Sequence, residues 1–260
     1  MPVERVNGID LYYEMEGDGE AVVFIHGLGS SSRDWEQQMD FFAEQFRVVA
    51  LDLRGHGRSE KPPGPYSMKM FAGDTAELIK TLDLGAVHVV GISLGGMVAF
   101  QLALDSPDSV KSLVIINSGP EVVARTLRER WQVFVRRAIV QFLGMRRMGE
   151  VLSERLFPKA EQAELRAVFV ERWAENNPKA YMATLNAIVG WSVAKRIGEI
   201  EARTLVISAD QDYTPVADKE AYVTQMQNAE LVVIEDARHA VTVERPKAVN
   251  EAVMGWLINS

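Results

Sequence analysis

Short runs of apolar residues alternate along the chain with longer segments in which apolar positions recur every three to four residues. The short runs are rich in β-branched side chains, which is typical of strands, and the longer segments are typical of amphipathic helices. We predict strands at Ile9–Met15, Val22–His26, Arg47–Asp52, Ala86–Ile92, Val110–Ile116, Thr204–Ser208 and Leu231–Ile234. We predict helices between them at Asp34–Phe46, Met68–Leu82, Leu94–Leu104, Ala217–Met226 and Pro246–Ile258.

This alternation predicts an α/β fold. Regular strand–helix order indicates a mostly parallel, doubly wound sheet with helices on both faces. From Arg47–Asp52 onward the strands are almost continuously apolar, as expected of strands that are covered on both sides. The first two predicted strands are joined without a helix, so we expect them to form an antiparallel edge.

One long region has no strand pattern. Between residues 121 and 200 the apolar spacing is helical, and it is interrupted at Gly144, Pro158 and Pro178. We therefore predict a helical cap over 121–200, inserted between two strands of a core that comprises 1–120 and 201–260.

Composition narrows the classes of function. The 260 residues carry a formal net charge of −8, which disfavours binding to nucleic acid and to anionic membranes. No apolar run is long enough for a transmembrane helix, and the first residues lack the pattern of a signal peptide. The absence of cysteine excludes disulfides and thiolate chemistry. We expect a cytoplasmic protein whose partner is a small molecule.

One serine lies between a predicted strand and a predicted helix. The segment Gly91-Ile-Ser93-Leu-Gly95 matches the pattern G-x-S-x-G in the strand–helix context that this pattern requires. A sharp turn there exposes the hydroxyl and directs it toward the free N–H groups of the following helix. The pattern indicates a nucleophilic serine, whereas a simple helix cap with packing glycines is the structural alternative.

A nucleophilic serine needs a base, and the base needs an orienting acid. Of the four histidines, His239 follows the last predicted strand and so lies at the same sheet edge as Ser93. His88 lies inside a strand and is expected to be packed in the sheet. Asp210 and Asp212 both follow the strand Thr204–Ser208 and are the candidate acids.

Five segments together resemble the α/β-hydrolase superfamily, over essentially the whole chain. They are HGLGSSSRDW, DLRGHGRSEKP, VVGISLGGMVAFQLA, LVISADQDYTPV and RHAVTVERP. The resemblance implies the order Ser93 (nucleophile), Asp212 (acid) and His239 (general base), with the N–H groups of Leu28 and Leu94 as the oxyanion hole. It is strongest to small capped carboxylesterases and enol-lactone hydrolases, and it implies that the cap covers the site.

The sequence departs from the family pattern near the acid and the base. Arg238 precedes the histidine and Ala209 precedes the acid, where glycine is usual, and one residue fewer separates the acid from Pro215. The last departure leaves Asp210 as an alternative to Asp212, which keeps the usual offset from the end of the strand.

The resemblance implies a carboxylic ester hydrolase that forms an acyl-enzyme and requires no metal or organic cofactor. Lactones are the alternative substrates on the same residues, and a non-catalytic small-molecule receptor is a further alternative. The cap aromatics Trp131, Phe134 and Trp191 are candidates for an apolar substrate pocket, although most cap aromatics are expected to form the core of the cap. The DLRGHGRS loop is expected to brace the oxyanion loop.

A dinucleotide-binding site is the rival interpretation of the first glycines. Gly27-Leu-Gly29 follows a strand, and Asp52 lies about 20 residues further on. Ser32 occupies the third position of that fingerprint, where glycine is needed. This rival also leaves Ser93, Asp212 and His239 unexplained.

Overall fold

A computed structural model describes residues 2–259 as one eight-stranded sheet. The order across the sheet is β1-β2-β4-β3-β5-β6-β7-β8, and all pairs from β4 to β8 are parallel. The strands are β1 Val3–Val6, β2 Ile9–Glu16, β3 Ala21–Ile25, β4 Arg47–Leu51, β5 Val87–Ile92, β6 Val110–Ile116, β7 Arg203–Ala209 and β8 Ala229–Ile234.

Helices cover both faces of the sheet. One hydrophobic cluster joins α2 and α3 to one face, and a second joins α1 and α9 to the other. Along β3 the side chains alternate between the two clusters, as the period of a strand requires. Within residues 2–259 the α-helices are α1 Glu36–Phe42, α2 Met68–Thr81, α3 Leu94–Asp105, α4 Leu127–Leu156, α5 Ala163–Ala174, α6 Pro178–Ile188, α7 Val216–Val223, α8 Val241–Glu244 and α9 Pro246–Leu257.

The predicted fold class is confirmed. The sheet is mostly parallel and doubly wound, and helices α4, α5 and α6 are inserted between β6 and β7. No helix within residues 2–259 combines the length and the apolar character that crossing a membrane demands.

The predicted antiparallel edge was wrong in its strands. The edge consists of β1 and β2, which form a hairpin, and β2 then pairs antiparallel with β4. Asn7 and Gly8 form the turn of the hairpin with φ angles of 45° and 78°, which suits a two-residue turn. Strand β3 lies inside the sheet instead, because all five of its residues are buried and need neighbours on both sides.

The inserted helices α4–α6, called the cap helices here, have a hydrophobic cluster of their own. Trp173, Tyr181 and Leu185 are buried in it. Helix α4 begins with a capping box, in which Thr126 accepts from the Glu129 N–H and Glu129 accepts from the Thr126 N–H. At Gly144 the backbone leaves helical geometry, with φ 81° and ψ 179°. The boundaries 121 and 200 of a separate cap domain stay a prediction.

Candidate active site

Ser93 joins β5 to α3 through a strained turn. Its φ of 53° and ψ of −114° lie in a region that residues with a side chain rarely occupy, at a cost of about 1–3 kcal/mol. A Cβ on Gly91 would lie 2.3 Å from the carbonyl oxygen of Gly95. A Cβ on Gly95 would lie 1.9 Å from the carbonyl oxygen of Ile25 on β3. The turn itself therefore requires the first glycine, and the neighbouring strand requires the second.

The end of β6 holds this turn. The N–H of Ser93 donates to the carbonyl oxygen of Ile116 at 2.9 Å. The hydroxyl of Ser118 donates to the carbonyl oxygen of Ser93 at 2.7 Å. The backbone N–H and the backbone carbonyl of Ser93 are thus both held by hydrogen bonds. Neither bond uses the Ser93 side chain.

His239 and Asp212 are in direct contact. Nδ1 of His239 lies 2.6 Å from Oδ1 of Asp212, whose side chain is only 1% exposed. A carboxylate accepts only, so Nδ1 carries the proton and Nε2 keeps its lone pair. Asp210 instead accepts the N–H of Ala237 at 3.0 Å. Of the two candidate aspartates, Asp212 therefore contacts the histidine and Asp210 does not.

Asn117 ties the histidine loop to the serine turn. Its amide nitrogen donates to the carbonyl oxygens of Arg238 and His239 at 3.1 and 3.0 Å. Its amide oxygen accepts the N–H of Ala209 at 2.8 Å. Adjacent residues at the end of β6 thus bond the backbones of both Ser93 and His239. Within residues 2–259 no hydrogen bond joins the Ser93 hydroxyl to His239. A direct contact between these two groups is therefore part of the proposed function and not an observation.

The sequence interpretation missed Tyr213 and Lys219. The ring of Tyr213 stacks on that of His239, with centroids 4.3 Å apart and planes inclined by 22°. The ammonium of Lys219 donates to Oδ2 of Asp212 at 2.5 Å, and its side chain is only 1% exposed. One signal for Lys219 was present: it lies three residues before Tyr222, on the buried side of α7.

These contacts determine the charge state of Asp212. Burial alone would raise its pKa, because a charged carboxylate is poorly solvated there. The hydrogen bond and charge of His239, followed by those of Lys219, outweigh burial and hold the pKa of Asp212 well below its ordinary value. Asp212 is therefore a carboxylate throughout the neutral range.

The loop after β3 lies beside Ser93. A Cβ on Gly27 would be 3.7 Å from Cβ of Ser93, so Leu28 follows directly at that point. In the part of the chain that the structure describes, the N–H groups of Leu28 and Leu94 have no protein acceptor. The Leu94 N–H is the first of α3, where helices leave donors free. Both donors are thus available to a ligand.

The cap helices pack on this loop. Trp173 of α5 covers Gly29 so closely that a Cβ there would lie 2.8 Å from the indole. The side chain of Asn176 donates to the carbonyl oxygen of Gly29 at 2.8 Å. Arg172 donates to the carbonyl oxygen of Arg33 at 2.9 Å. The shape of the loop after β3 therefore depends on the C-terminal end of α5.

Asp52 has a structural part in the same loop. Its carboxylate is fully buried and accepts the N–H groups of Ser32 and Arg58, both at 2.6 Å. A Cβ on Gly57 would lie 2.1 Å from this carboxylate. Asp52 thus braces the loop after β3, and both of its oxygens are already used. This accounts for the acidic residue on which the dinucleotide interpretation relied.

Three of the four histidines are buried away from any acid of the site. His26 accepts the N–H of Leu53 at 3.0 Å, and its ring lies 5.1 Å from that of His56. His88 lies within β5 and contacts the hydroxyl of Ser112 at 2.7 Å. Burial lowers the pKa of His26 to about 4 and that of His56 to about 3. Both are therefore neutral structural groups at pH 7.

The three predicted pocket aromatics do not form one cluster. Trp131 and Phe134 stack on each other on the outer side of α4, where they are 63% and 57% exposed. Trp191 is tied to α3, because its indole donates to Gln101 at 2.9 Å. Packing thus gives Trp191 a sufficient reason for its position. Among residues 2–259, no group of three or more His, Asp or Glu side chains is arranged to hold a metal ion.

Comparison with known proteins gives the family. The family model of the alpha/beta hydrolase fold matches residues 20–246. The chain belongs to this family. The α/β hydrolase described here is thus a member of a family of hydrolytic enzymes.

Two known enzymes and one solved structure are similar over nearly its full length. (E)-2-((N-methylformamido)methylene)succinate hydrolase of Acinetobacter baylyi is 29% identical, and the match covers 96% of this chain and 95% of that one. The 3-oxoadipate enol-lactonase 2 of the same organism is 27% identical, with 92% and 88% covered. The enol-lactonase from Burkholderia xenovorans LB400 superposes with a TM-score of 0.91 at 25% identity, covering 99% of this chain and 100% of that chain.

The glycine after the serine turn gives a first prediction. We expect Gly95→Ala to lower the free energy of unfolding by about 3 kcal/mol or more, because the new methyl group would overlap the backbone of β3. Urea unfolding followed by circular dichroism measures the change. The matched control is Gly255→Ala in α9, where no atom lies within 4 Å of the new Cβ. Gly255→Ala should be about 0.5–1 kcal/mol more stable than the unchanged protein. Equal stabilities of the two variants would contradict the prediction.

The buried histidines give a second prediction, on stability against pH. Both pKa values lie below the ordinary 6.5, so from pH 6.5 down to about 4 only the unfolded chain binds the two protons. Unfolding free energy therefore falls with falling pH, at pH 5 by about 2 kcal/mol for each histidine. Urea unfolding at pH 7 and pH 5 measures the loss. His56→Gln should lose about 2 kcal/mol less than the unchanged chain over this interval, and an equal loss would exclude His56 as a source.

Proposed function

We propose that this α/β hydrolase is a serine hydrolase that cleaves a small-molecule carboxylic ester through an acyl-enzyme. Ser93 is the nucleophile, His239 the general base and Asp212 the acid. The observation that carries the proposal is the direct Asp212–His239 bond. Asn117 bonds the histidine loop, and the residues on either side of Asn117 bond the backbone of Ser93. A histidine oriented by a buried carboxylate is the arrangement that activates a serine hydroxyl.

The first half of the reaction forms the acyl-enzyme. Nε2 of His239 takes the hydroxyl proton as Oγ of Ser93 attacks the carbonyl carbon, a step that general-base help accelerates by about 10²–10⁴-fold. The oxygen that becomes negative accepts from the N–H groups of Leu28 and Leu94, and each such donor contributes about 3–4 kcal/mol to transition-state stabilisation. The proton on His239 then goes to the leaving alcohol.

The second half repeats these roles with water. His239 takes a proton from water, which attacks the acyl carbon and releases the acid together with the free Ser93. Asp212 keeps the imidazole in the tautomer with Nδ1 protonated and stabilises the imidazolium that forms in each half. The low pKa of Asp212 supports this role, because the acid stays charged while the base changes its proton.

A pocket for the acyl or alcohol group is part of the proposal. Leu28 packs against both the core and the cap cluster, so we place the acyl or alcohol group where these two clusters meet, beside the proposed oxyanion hole. We retain Trp131 and Phe134 as candidates for the outer rim, because their exposed rings on α4 are available to an apolar group. Trp191 remains the weakest of the three candidates, since its indole already has a partner.

Replacing the proposed nucleophile is the direct test. We expect Ser93→Ala to lower kcat for p-nitrophenyl butyrate by about six orders of magnitude, because no other group can form the acyl-enzyme. The matched control is Ser109→Ala. Ser109 directly precedes β6, at the amino-terminal end of the strand and away from the Ser93 turn, so this variant should keep full activity. A Ser93→Ala enzyme with half of the original turnover would refute the assignment.

A serine-reactive fluorophosphonate separates enzyme from receptor. Mass spectrometry of the labelled protein should find one adduct, on Ser93, and no adduct in Ser93→Ala. If the protein binds esters but forms no adduct with the fluorophosphonate, the non-catalytic receptor is the better description.

Lactone hydrolysis is the second candidate, because the match to an enol-lactonase structure extends over 99% of the chain at a TM-score of 0.91. The two reactions differ in the leaving alcohol. In a lactone it stays attached to the acyl-enzyme and competes with water by closing the ring again, since a tethered group has a high effective concentration.

We expect the open ester to be the better substrate of a matched pair. For ethyl valerate and δ-valerolactone, which share the acyl chain length, kcat/KM should favour the ester by about tenfold or more. Proton release measured in a pH-stat gives both constants, with Ser93→Ala as the blank. A preference for the ring would transfer the assignment to lactonase without changing the proposed catalytic residues.

A further inference from the structure

Lys219 is a fully buried ammonium group in α7. Burial of a charge is costly unless the group is paired and its hydrogen bonds are satisfied. Lys219 uses all three of its donors: to Oδ2 of Asp212 at 2.5 Å, to the carbonyl oxygen of Thr214 at 2.7 Å and to the hydroxyl of Thr214 at 2.6 Å. Its position is therefore fixed as firmly as that of the carboxylate it binds.

The two oxygens of Asp212 have different partners. Oδ1 faces Nδ1 of His239, whereas Oδ2 accepts from Lys219 and, at 3.0 Å, from the hydroxyl of Thr214. Lys219, Thr214 and Asp212 thus form a closed ring of bonds behind the histidine. Rotation of the carboxylate away from the histidine would break two bonds of this ring.

Other polar and charged groups surround this pair without contacting the carboxylate. Tyr213 covers the outer side of His239, and Arg136 and Arg155 act on Tyr213 from α4. Tyr222, on the same helix as Lys219, donates its hydroxyl to Ser118. Beside His239, Arg238 is paired with Glu244 of α8. All of these remain when Lys219 is replaced, so a change in pH dependence can be assigned to Lys219.

We propose that Lys219 is a positioning residue of the Asp212–His239 pair, which holds the carboxylate in line with Nδ1 and offsets part of its negative charge. The inference rests on the proposed function, since it concerns the same base. Without the ammonium, the full charge of Asp212 acts on His239 and favours the imidazolium. The base would then become available only at higher pH, so Lys219 extends activity toward acidic pH.

The test uses neutral replacements of Lys219. We expect Lys219→Met and Lys219→Gln to move the acidic limb of the kcat/KM profile for p-nitrophenyl butyrate upward by about one pH unit. We also expect kcat at the plateau to fall by about tenfold, because the carboxylate can turn, and KM to stay within about twofold, because Lys219 lies behind Asp212 and does not reach the substrate. Lys80→Met, in the last turn of α2, where the lysine is exposed and pairs with Glu77, is the control and should change none of these values.

The profile distinguishes positioning from a purely structural role. A neutral variant that loses turnover but keeps the acidic limb of the unchanged enzyme would overturn the proposal. Lys219→Arg provides the second variant if the neutral ones do not fold: it keeps the charge, so kcat should fall while the limb stays in place, and a displaced limb would count against the proposal. Failure of the proposed function has a different signature, since the unchanged enzyme would then form no fluorophosphonate adduct on Ser93.

Discussion

The site depends on the close approach of α3 to β3 at Gly95. No side chain fits there, because a Cβ would overlap the carbonyl group of Ile25. This approach brings the first turn of α3 beside the loop that leaves β3, and the free N–H of Leu94 comes from one element while that of Leu28 comes from the other. Ser93, with its strained angles, precedes this first turn directly, so the half-buried serine and the two donors lie at one point of the fold.

Residues at the end of β6 hold both the serine turn and the loop of His239. Ile116 and Ser118 bond the backbone of Ser93, while Asn117 between them bonds the loop of His239 and the end of β7. Asn117 has a φ of 44°, in the left-handed region that asparagine tolerates better than most residues. Because the carboxyl ends of parallel strands meet at one edge of the sheet, a segment of a few residues at the end of β6 can hold groups that are far apart in sequence.

The order of strands and helices could be predicted from periodicity, because buried parallel strands are short and apolar and surface helices repeat every 3.6 residues. The edge could not be predicted from linkage alone: β2 and β3 are adjacent in sequence, but the full burial of β3 made it a central strand. The Asn7-Gly8 pair is a hairpin signal in the sequence that the pattern of apolar runs does not contain. Lys219 was harder to find, because its spacing to Tyr222 indicates only the buried side of α7, and the partner Asp212 is visible only in the tertiary structure.

The four histidines illustrate why residue type cannot identify a base. His26 and His56 are buried among neutral or backbone partners, whereas Nε2 of His88 lies 3.4 Å from the half-exposed carboxylate of Glu20. Burial lowers the pKa of all three, which favours the uncharged imidazole. His239 alone among them is bonded to a buried carboxylate, and the other oxygen of that carboxylate accepts from the ammonium of Lys219. An acid held between an imidazole and an ammonium group stays ionised, as the proposed function requires. The arrangement of the site thus depends on the two oxygens of Asp212, one of which contacts His239 and the other Lys219.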